Sequence, residues 1–186
     1  LIVGERVTFA VGVPTIWTML LAYMAEQGVK LTALDRCLVA GTALPPAVRK
    51  VLKETHGVTA IHAWGMTETS PIGTISTPTP EVLALPEAER EAELLKQGRV
   101  PFGSEIQVRD AEGRVAPKNG ETFGPLWIRG PWIASGYFKG EGGQVLDGDG
   151  WFPTGDVATW DELGFMKITD RTKDVIKSGG EWISSI

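Results

Sequence analysis

The strongest constraint on the fold is the alternation of strand-like and helix-like segments in the first third of the chain. Runs rich in apolar and β-branched residues predict buried strands at 7–11, 36–40 and 59–62. Between these runs, Pro14 suits the first turn of a helix that Gly28 ends, and a second helix follows Pro46. This alternation is typical of an open α/β sheet, in which ligands bind beyond the carboxyl ends of the strands.

The spacing of apolar residues also predicts which helix faces are buried. In the first helix we expect the core to take the residues that recur at helical intervals: Ile16, Met19, Leu20, Tyr23 and Met24. In the second helix we expect it to take Val48, Val51 and Leu52.

The pattern changes in the second half of the chain. Residues 105–109 and 126–129 alternate between apolar and polar, with a turn at 110–113, which predicts mainly antiparallel β structure. The proline-punctuated stretch 74–86 is predicted to be a connection, and the acidic stretch 87–96 a solvated surface helix. The predicted fold class is therefore α/β, with an open α/β sheet part followed by an antiparallel β part.

Two glycine-containing segments in this half are given structural interpretations. We assign residues 130–137 to packing. Residues 147–150, Asp-Gly-Asp-Gly, resemble the start of a Ca²⁺ loop but lack the closing Glu, so we predict a tight turn.

Composition excludes several classes of protein. With 42% hydrophobic and 22% charged residues the chain is globular, and its net charge of −5 argues against a nucleic-acid partner. The longest apolar run, around residues 16–24, is too short to cross a bilayer of about 30 Å, so we expect no transmembrane segment. The single cysteine, Cys37, cannot form an internal disulfide, which fits the cytoplasm. Because residues 1–3 offer no initiator Met and the chain stops in mid-pattern at Ile186, we expect it to be a piece of a longer protein.

One loop, His62 to Pro71, carries residues suited to a nucleotide. Trp64 can lie against a purine, Gly65 lets the backbone come close, and Thr67 can donate to a phosphate oxygen. Glu68 can bind Mg²⁺, which takes one or two carboxylates together with phosphates. The alternative is a capped turn whose Glu is solvated.

Two later stretches add polar groups of the same kind. Asp156, directly after Gly155, can accept hydrogen bonds from paired hydroxyls such as those of a ribose, although the same pattern also occurs in ordinary turns. Residues 169–182 alternate in charge and have two glycines after Lys177, which indicates either a solvated linker or a segment next to a phosphate or a moving domain.

Taken together, four motifs in this order resemble those of the adenylate-forming (AMP-binding) superfamily: Gly41-Thr42-Ala43, Trp64 to Thr69, Thr154 to Asp156, and Asp170 to Gly180. Within it the chain is most similar to the fatty acyl-CoA synthetases, the medium- and long-chain fatty-acid–CoA ligases, because residues 177–184 resemble their signature. The likeness covers nearly the whole chain. Trp64 is a departure, since the family more often has Tyr at that place.

The resemblance implies a role for each matching residue. The adenine pocket would be lined or bordered by Gly41, Thr42, Ala43, His62, Ala63 and Gly65, with Trp64 stacked on the purine. Thr67 would bond the α-phosphate and Glu68 would bind Mg²⁺. The ribose hydroxyls would be held by Asp156 and Arg171. Further on, Lys173 would be the hinge, Lys177 would reach the nucleotide, and Trp182 would belong to its environment. The implied catalytic residues are Thr67, Glu68 and Lys177.

It also implies an activity, its cofactors and its partners. A carboxylic acid, by this likeness a fatty acid, would react with ATP and Mg²⁺ to give an acyl adenylate, and coenzyme A would then displace AMP. Residues 1–169 would be the C-terminal portion of the large AMP-binding domain, and 170–186 the hinge and the start of the small domain. A homodimer is one assembly that the resemblance allows. We expect the isolated chain to be inactive, because the phosphate loop and a late catalytic lysine of the family would lie outside it.

Two alternatives stay open. One is an amino-acid-activating or other adenylating domain whose acceptor is a carrier protein. The other is a fragment that binds a nucleotide without catalysis.

Overall fold

The computed structural model describes residues 1–171, 176–178 and 181–183. It confirms the predicted fold class, because a mainly parallel sheet with helices is followed by an antiparallel sheet. The first sheet contains, in spatial order, β1 (Phe9–Gly12), β2 (Arg36–Val39), β3 (Thr59–Trp64) and β4 (Thr74–Ile75). Its first three strands are parallel, and β4 runs antiparallel to β3.

Two helices connect the parallel strands: α1 (Pro14–Gln27) and α2 (Pro46–His56). Each has a proline in its first turn and ends at a left-handed glycine, Gly28 or Gly57, as the sequence predicts for α1. Both pack against a core that includes Cys37 of β2 and Leu52 of α2. Cys37 is therefore a core residue.

The buried face of α1 differs from the prediction. Of the predicted stripe only Met24 is fully buried, whereas Ile16, Met19 and Tyr23 are exposed. The core instead takes Trp17, Leu21 and Met24. The physical reason is that α1 is apolar on nearly every side, so helical spacing alone defines two overlapping stripes and does not choose between them. In α2 the prediction is correct for Val48 and Leu52, while Val51 is exposed.

The stretch predicted to be a plain connection contains structure of its own. It forms β4 and a short helix, α3 (Pro80–Ala84), before the predicted acidic helix α4 (Glu87–Leu94). The acidic helix is less solvated than expected, since Glu91 accepts a hydrogen bond from Arg49 at 2.8 Å and Glu93 is buried. Among the described residues, no helix is both long and apolar enough to cross a membrane.

The second sheet is antiparallel throughout. Its four strands, in spatial order, are β5 (Glu105–Val108), β6 (Gly124–Arg129), β7 (Phe152–Trp160) and β8 (Met166–Arg171). The Asp147 carboxylate accepts from the backbone N–H groups of Asp149 and Trp151, which is the tight turn predicted there. Beyond β8, a separate two-stranded ribbon contains β9 (Ile176–Ser178) and β10 (Glu181–Ile183).

The two sheets meet along β3 and the segment after α4. Trp64 at the end of β3 belongs to the apolar core of the second sheet. Gln97 accepts a hydrogen bond from the backbone N–H of Ile168 in β8 at 2.8 Å, and Gly98 bridges to Met166. Lys96 contacts both Glu93 and Asp161, which lies in the turn after β7. This junction brings the carboxyl ends of β2 and β3 opposite β7 and β8.

Candidate active site

A cavity of about 380 Å³ opens where the two sheets face each other. Nine residues that the sequence singles out lie in its wall: Gly41, Thr42, Ala43, His62, Ala63, Trp64, Gly65, Asp156 and Arg171. Five other wall residues were given no individual role from the sequence: Met66, Gln97, Thr154, Ile168 and Thr169. Met66 and Thr154 stand in motifs that the sequence did identify, whereas Gln97 and Ile168 carry no local signal. The wall therefore combines loops of the first sheet with strands of the second.

The loop after β2 supplies one side of the cavity. Gly41 has φ +96°, and a Cβ there would lie 3.1 Å from Cγ1 of Val13. Glycine meets both demands, because it adopts positive φ without strain and leaves room for the neighbouring chain. The backbone of Gly41 to Ala43 is thereby held at the cavity edge.

His62 holds the loop after β2 in place through hydrogen bonds of its imidazole ring. It is almost completely buried, and its Nδ1 donates to the carbonyl oxygen of Leu95 at 2.7 Å while Nε2 accepts from the backbone N–H of Leu44 at 3.3 Å. Burial lowers the pKa of His62, which favours the neutral ring that both contacts require. The ring thus ties β3 to the loop after β2 and to the end of α4.

Asp156 lies on β7 and faces the cavity. The sequence pattern also allowed an ordinary turn here, but Asp156 stands in the middle of a nine-residue strand and is only 6% exposed. Its Oδ2 accepts from the indole N–H of Trp64 at 2.8 Å, and its Oδ1 pairs with Nε of Arg171 at 3.0 Å. The predicted ribose pair is therefore in contact, with Trp64 as a third member.

The surroundings of Trp64 restrict its ring. Trp64 is 9% exposed, and Gly73 packs so tightly against its six-membered ring that a Cβ at Gly73 would approach to 2.2 Å. The indole both lines the cavity and bonds Asp156. Its stacking on a purine stays a prediction.

The close approach of the chain within the loop after β3 requires a glycine at position 65. A Cβ at Gly65 would lie 1.7 Å from the carbonyl oxygen of Pro71, so the two ends of the loop approach each other through this glycine. The buried Thr69 closes the same loop, since its Oγ1 accepts from the backbone N–H of Met66 at 2.9 Å and donates to Pro71 at 2.6 Å. Thr67 and Glu68 lie between these fixed points, in a short 3₁₀ turn (Thr67–Thr69).

Glu68 is held by a segment that sequence analysis had assigned to packing. The Tyr137 hydroxyl donates to Oε1 of Glu68 at 2.6 Å, and the backbone N–H of Ala134 donates to the Glu68 carbonyl oxygen at 2.8 Å. The hydrogen bond to Glu68 raises the pKa of Tyr137. Residues 130–137 therefore orient a candidate metal ligand, and no local pattern in the sequence indicated that Tyr137 would meet Glu68.

Neither Thr67 nor Glu68 is among the described residues that line the cavity. The described residues also contain no group of three or more His, Cys, Asp or Glu side chains arranged to hold a metal ion. A single carboxylate fits Mg²⁺ only when phosphate oxygens and waters complete the coordination, as they do in nucleotide sites. The donor set thus suits a cation that arrives with a nucleotide.

Three predicted residues lie beyond what the structure describes. Lys173 is outside the described residues, and for Lys177 and Trp182 the description covers the backbone without the side chain. The backbones of Lys177 and Trp182 lie opposite each other in the β9–β10 ribbon.

The fold and the cavity define a class of protein: an open α/β sheet whose strand ends face an antiparallel sheet across a ligand-sized cavity lined by glycine, aromatic and carboxylate groups. The family model described as "AMP-binding enzyme" matches residues 1–138. The chain belongs to this family.

The chain is also similar to several individual proteins. The chain is 48% identical to the 3-methylmercaptopropionyl-CoA ligase of Ruegeria lacuscaerulensis, over 97% of the chain and 33% of that protein. It is 46% identical to the medium-chain-fatty-acid–CoA ligase of Ectopseudomonas oleovorans, over 100% of the chain and 34% of that protein. The structure superposes on the O-succinylbenzoate coenzyme A synthetase of Bacillus subtilis in complex with ATP and magnesium ion, with a TM-score of 0.78. The two sequences are 28% identical, and the match covers 98% of the present chain and 35% of the synthetase chain. The chain thus spans about a third of the length of the relatives it matches.

Proposed function

We propose that the chain is part of an AMP-forming acid–thiol ligase, which joins a carboxylic acid to coenzyme A at the expense of ATP. The observation that carries this proposal is the buried Asp156 carboxylate, presented between Trp64 and Arg171 in the wall of the cavity. Carboxylates bind paired hydroxyls well, because each oxygen accepts more than one hydrogen bond. The family match supports the same conclusion.

In this proposal the adenosine moiety occupies the cavity. The loop Gly41–Ala43 borders the adenine, Trp64 offers its ring to the purine, and Asp156 with Arg171 binds the ribose. This arrangement directs the phosphates toward the Thr67–Thr69 turn. Thr67, which is exposed, would donate to the α-phosphate, and Glu68 would be the protein ligand for Mg²⁺.

The reaction has two half-reactions. The substrate carboxylate attacks the α-phosphorus of ATP, forming an acyl–O–P bond and breaking the bond to pyrophosphate. The thiolate of coenzyme A then attacks the acyl carbon, forming the thioester and releasing AMP. Oriented donors such as Thr67 stabilise the charge at phosphorus without covalent chemistry by the protein, and a Mg²⁺ at Glu68 would neutralise part of that charge.

We propose an aliphatic monocarboxylic acid as the substrate class. The names of two relatives support it, since one activates a methylmercapto-substituted propionate and the other a medium-chain fatty acid. The prediction of a fatty acid is the narrower form of this proposal.

We also propose the division at residues 169 and 170. The separate β9–β10 ribbon supports a boundary in this part of the chain, because these two strands pair with each other and not with the second sheet. The strand β8 pairs with β7 as far as Arg171, two residues past the proposed division. Residues 1–169 then belong to the large domain and residues 170–186 begin the hinge and the small domain, with Lys173 at the hinge and with Lys177 and Trp182 near the nucleotide.

The test is pyrophosphate release by the full-length protein with Mg·ATP, over a panel of aliphatic acids, with and without coenzyme A. Release that depends on the acid, with turnover that depends on coenzyme A, supports the ligase. Glu68→Gln and Asp156→Asn should each reduce the rate at least roughly ten-fold, because each removes a charged hydrogen-bond acceptor. Matched exposed controls, Glu54→Gln on α2 and Asp35→Asn before β2, should leave the rate unchanged.

Other outcomes reject the proposal in part or in whole. Release that depends on an acid but ignores coenzyme A would indicate another acceptor, such as a carrier protein. Absence of release with every acid, while nucleotide still binds, would reject the mechanism.

A further inference from the structure

The Asp156 carboxylate has two protein partners of different character. Trp64 donates to Oδ2 from the end of β3 and is 9% exposed, whereas Arg171 pairs with Oδ1 from the end of β8 and has a side chain that is 66% exposed. An exposed guanidinium is screened by water and samples several conformations, so it fixes a carboxylate weakly. The buried indole is the better fixed of the two donors.

Packing explains why the indole can fix Asp156. Gly73 leaves no room for even a Cβ against the six-membered ring, and Trp64 belongs to the apolar core of the second sheet. The indole N–H is a donor only, at one position on a rigid ring. A ring held in this way defines where Oδ2 of Asp156 lies.

We propose that Trp64 is a positioning residue that sets nucleotide sugar specificity through Asp156. This inference rests on the proposed function, because it assumes that Asp156 receives the ribose hydroxyls. Among the described residues, the carboxylate accepts the Trp64 N–H on Oδ2 and pairs with the Arg171 guanidinium on Oδ1, so each oxygen can accept a further hydrogen bond. Two adjacent acceptor sites match two vicinal hydroxyl donors. The specificity that follows is for a ribonucleotide over a 2′-deoxyribonucleotide, and it depends on the Trp64 N–H.

A matched pair of substitutions tests this role in the full-length protein. Trp64→Phe keeps an aromatic ring and removes the N–H. Trp17→Phe is the control, because Trp17 is also buried but its Nε1 has no hydrogen-bond partner among the described residues. Asp156→Asn weakens the same contact from the other side, because it replaces the charged acceptor of the Trp64 N–H by a neutral amide.

The first measurement is calorimetric binding of AMP and of 2′-deoxy-AMP to each variant. Wild type and Trp17→Phe should prefer AMP roughly ten-fold or more, as expected for a hydroxyl bonded to a charged group. In Trp64→Phe this preference should fall to within about two-fold of that in Asp156→Asn. The double variant should lose little further preference, because both changes act on the same contact. If Trp64 acts only as a stacking surface, both nucleotides would weaken equally and the preference would persist, which overturns the inference.

A second measurement does not depend on nucleotide. In ¹⁵N NMR spectra the indole N–H of Trp64 should resonate downfield in wild type and move upfield in Asp156→Asn, while that of Trp17 stays in place. An unchanged Trp64 signal would overturn the positioning role. If the signal moves but wild type binds no AMP, the contact stands and the proposed function fails with the sugar specificity that depends on it.

Discussion

Replacing Lys96 by Met should destabilise the junction between the two sheets by about 3 kcal/mol. Lys96 Nζ lies 2.7 Å from Oε2 of Glu93 and also contacts Asp161, and the three side chains are only 12–22% exposed. Removing one partner of a buried ion pair costs about 3–5 kcal/mol, because a charge is left uncompensated. We take the lower end of this range, because part of the Lys96 side chain is exposed to water. Here two carboxyl groups would remain without their cation.

The pH dependence of this loss of stability follows from the pKa of Glu93. Burial, and then the hydrogen bond with Asp161, raise the pKa of Glu93, whereas Lys96 lowers it, so Lys96→Met should raise this pKa further. A carboxyl whose folded-state pKa lies above its unfolded value binds more protons when folded. Its stabilising contribution is therefore fully present below the unfolded pKa and is lost as pH rises through the folded pKa. The loss of unfolding free energy caused by Lys96→Met should therefore be smaller at pH 5 than at pH 8.

Urea unfolding followed by tryptophan fluorescence measures both effects. With a slope of about 1–3 kcal/mol per molar urea, a loss of about 3 kcal/mol lowers the midpoint by about 1–3 M. The control is Lys50→Met, whose pair with Glu54 at 4.0 Å joins side chains that are 70% and 62% exposed and should contribute about 0.5 kcal/mol or less. Equal midpoints for the two variants would refute the argument from burial. An equal deficit at both pH values would refute the part assigned to Glu93.

Three further substitutions test other parts of the structure. Met24→Ala should cost about 2–5 kcal/mol in the same assay because Met24 is 2% exposed, whereas Met19→Ala, at 65% exposure, should cost about 0.5 kcal/mol or less. Gly65→Ala should abolish AMP binding and cost at least about 1–3 kcal/mol because its Cβ would meet backbone at 1.7 Å, while Gly148→Ala, with open space around it, should bind AMP normally. Tyr137→Phe should leave the urea midpoint nearly unchanged but raise the Mg²⁺ concentration needed for half-maximal pyrophosphate release roughly ten-fold, since its hydroxyl orients a candidate metal ligand.

Local patterns were sufficient to predict much of this fold. The parallel strands, the two connecting helices and the end of α1 at Gly28 follow from runs, prolines and glycines that act over a few residues. The loop at Gly41 and the position of Trp64 at a cavity follow from the same reasoning, because carboxyl ends of parallel strands share one edge.

Contacts between distant segments were not predictable from such patterns. Trp64 and Asp156 are 92 residues apart, and Glu68 and Tyr137 are 69 apart, so nothing local signals that they meet. The buried face of α1 escaped prediction for another reason, because a helix that is apolar on nearly every side carries no unique stripe. A single sequence defines which groups exist, but the junction of the two sheets decides which of them touch.

The proposed nucleotide site would link stability to nucleotide binding. The cavity wall comes from both sheets, so a ligand that fills the cavity would contact Gly41 on one side and Asp156 on the other and would bind only when the two sheets are together. A ligand that binds only the folded state at 100 times its Kd stabilises it by about 2.7 kcal/mol, which is close to the loss expected for Lys96→Met. AMP at that concentration should therefore return the urea midpoint of Lys96→Met to about that of wild type without nucleotide. In the double variant with Asp156→Asn the same AMP concentration should restore much less, and full recovery there would place the nucleotide away from the junction.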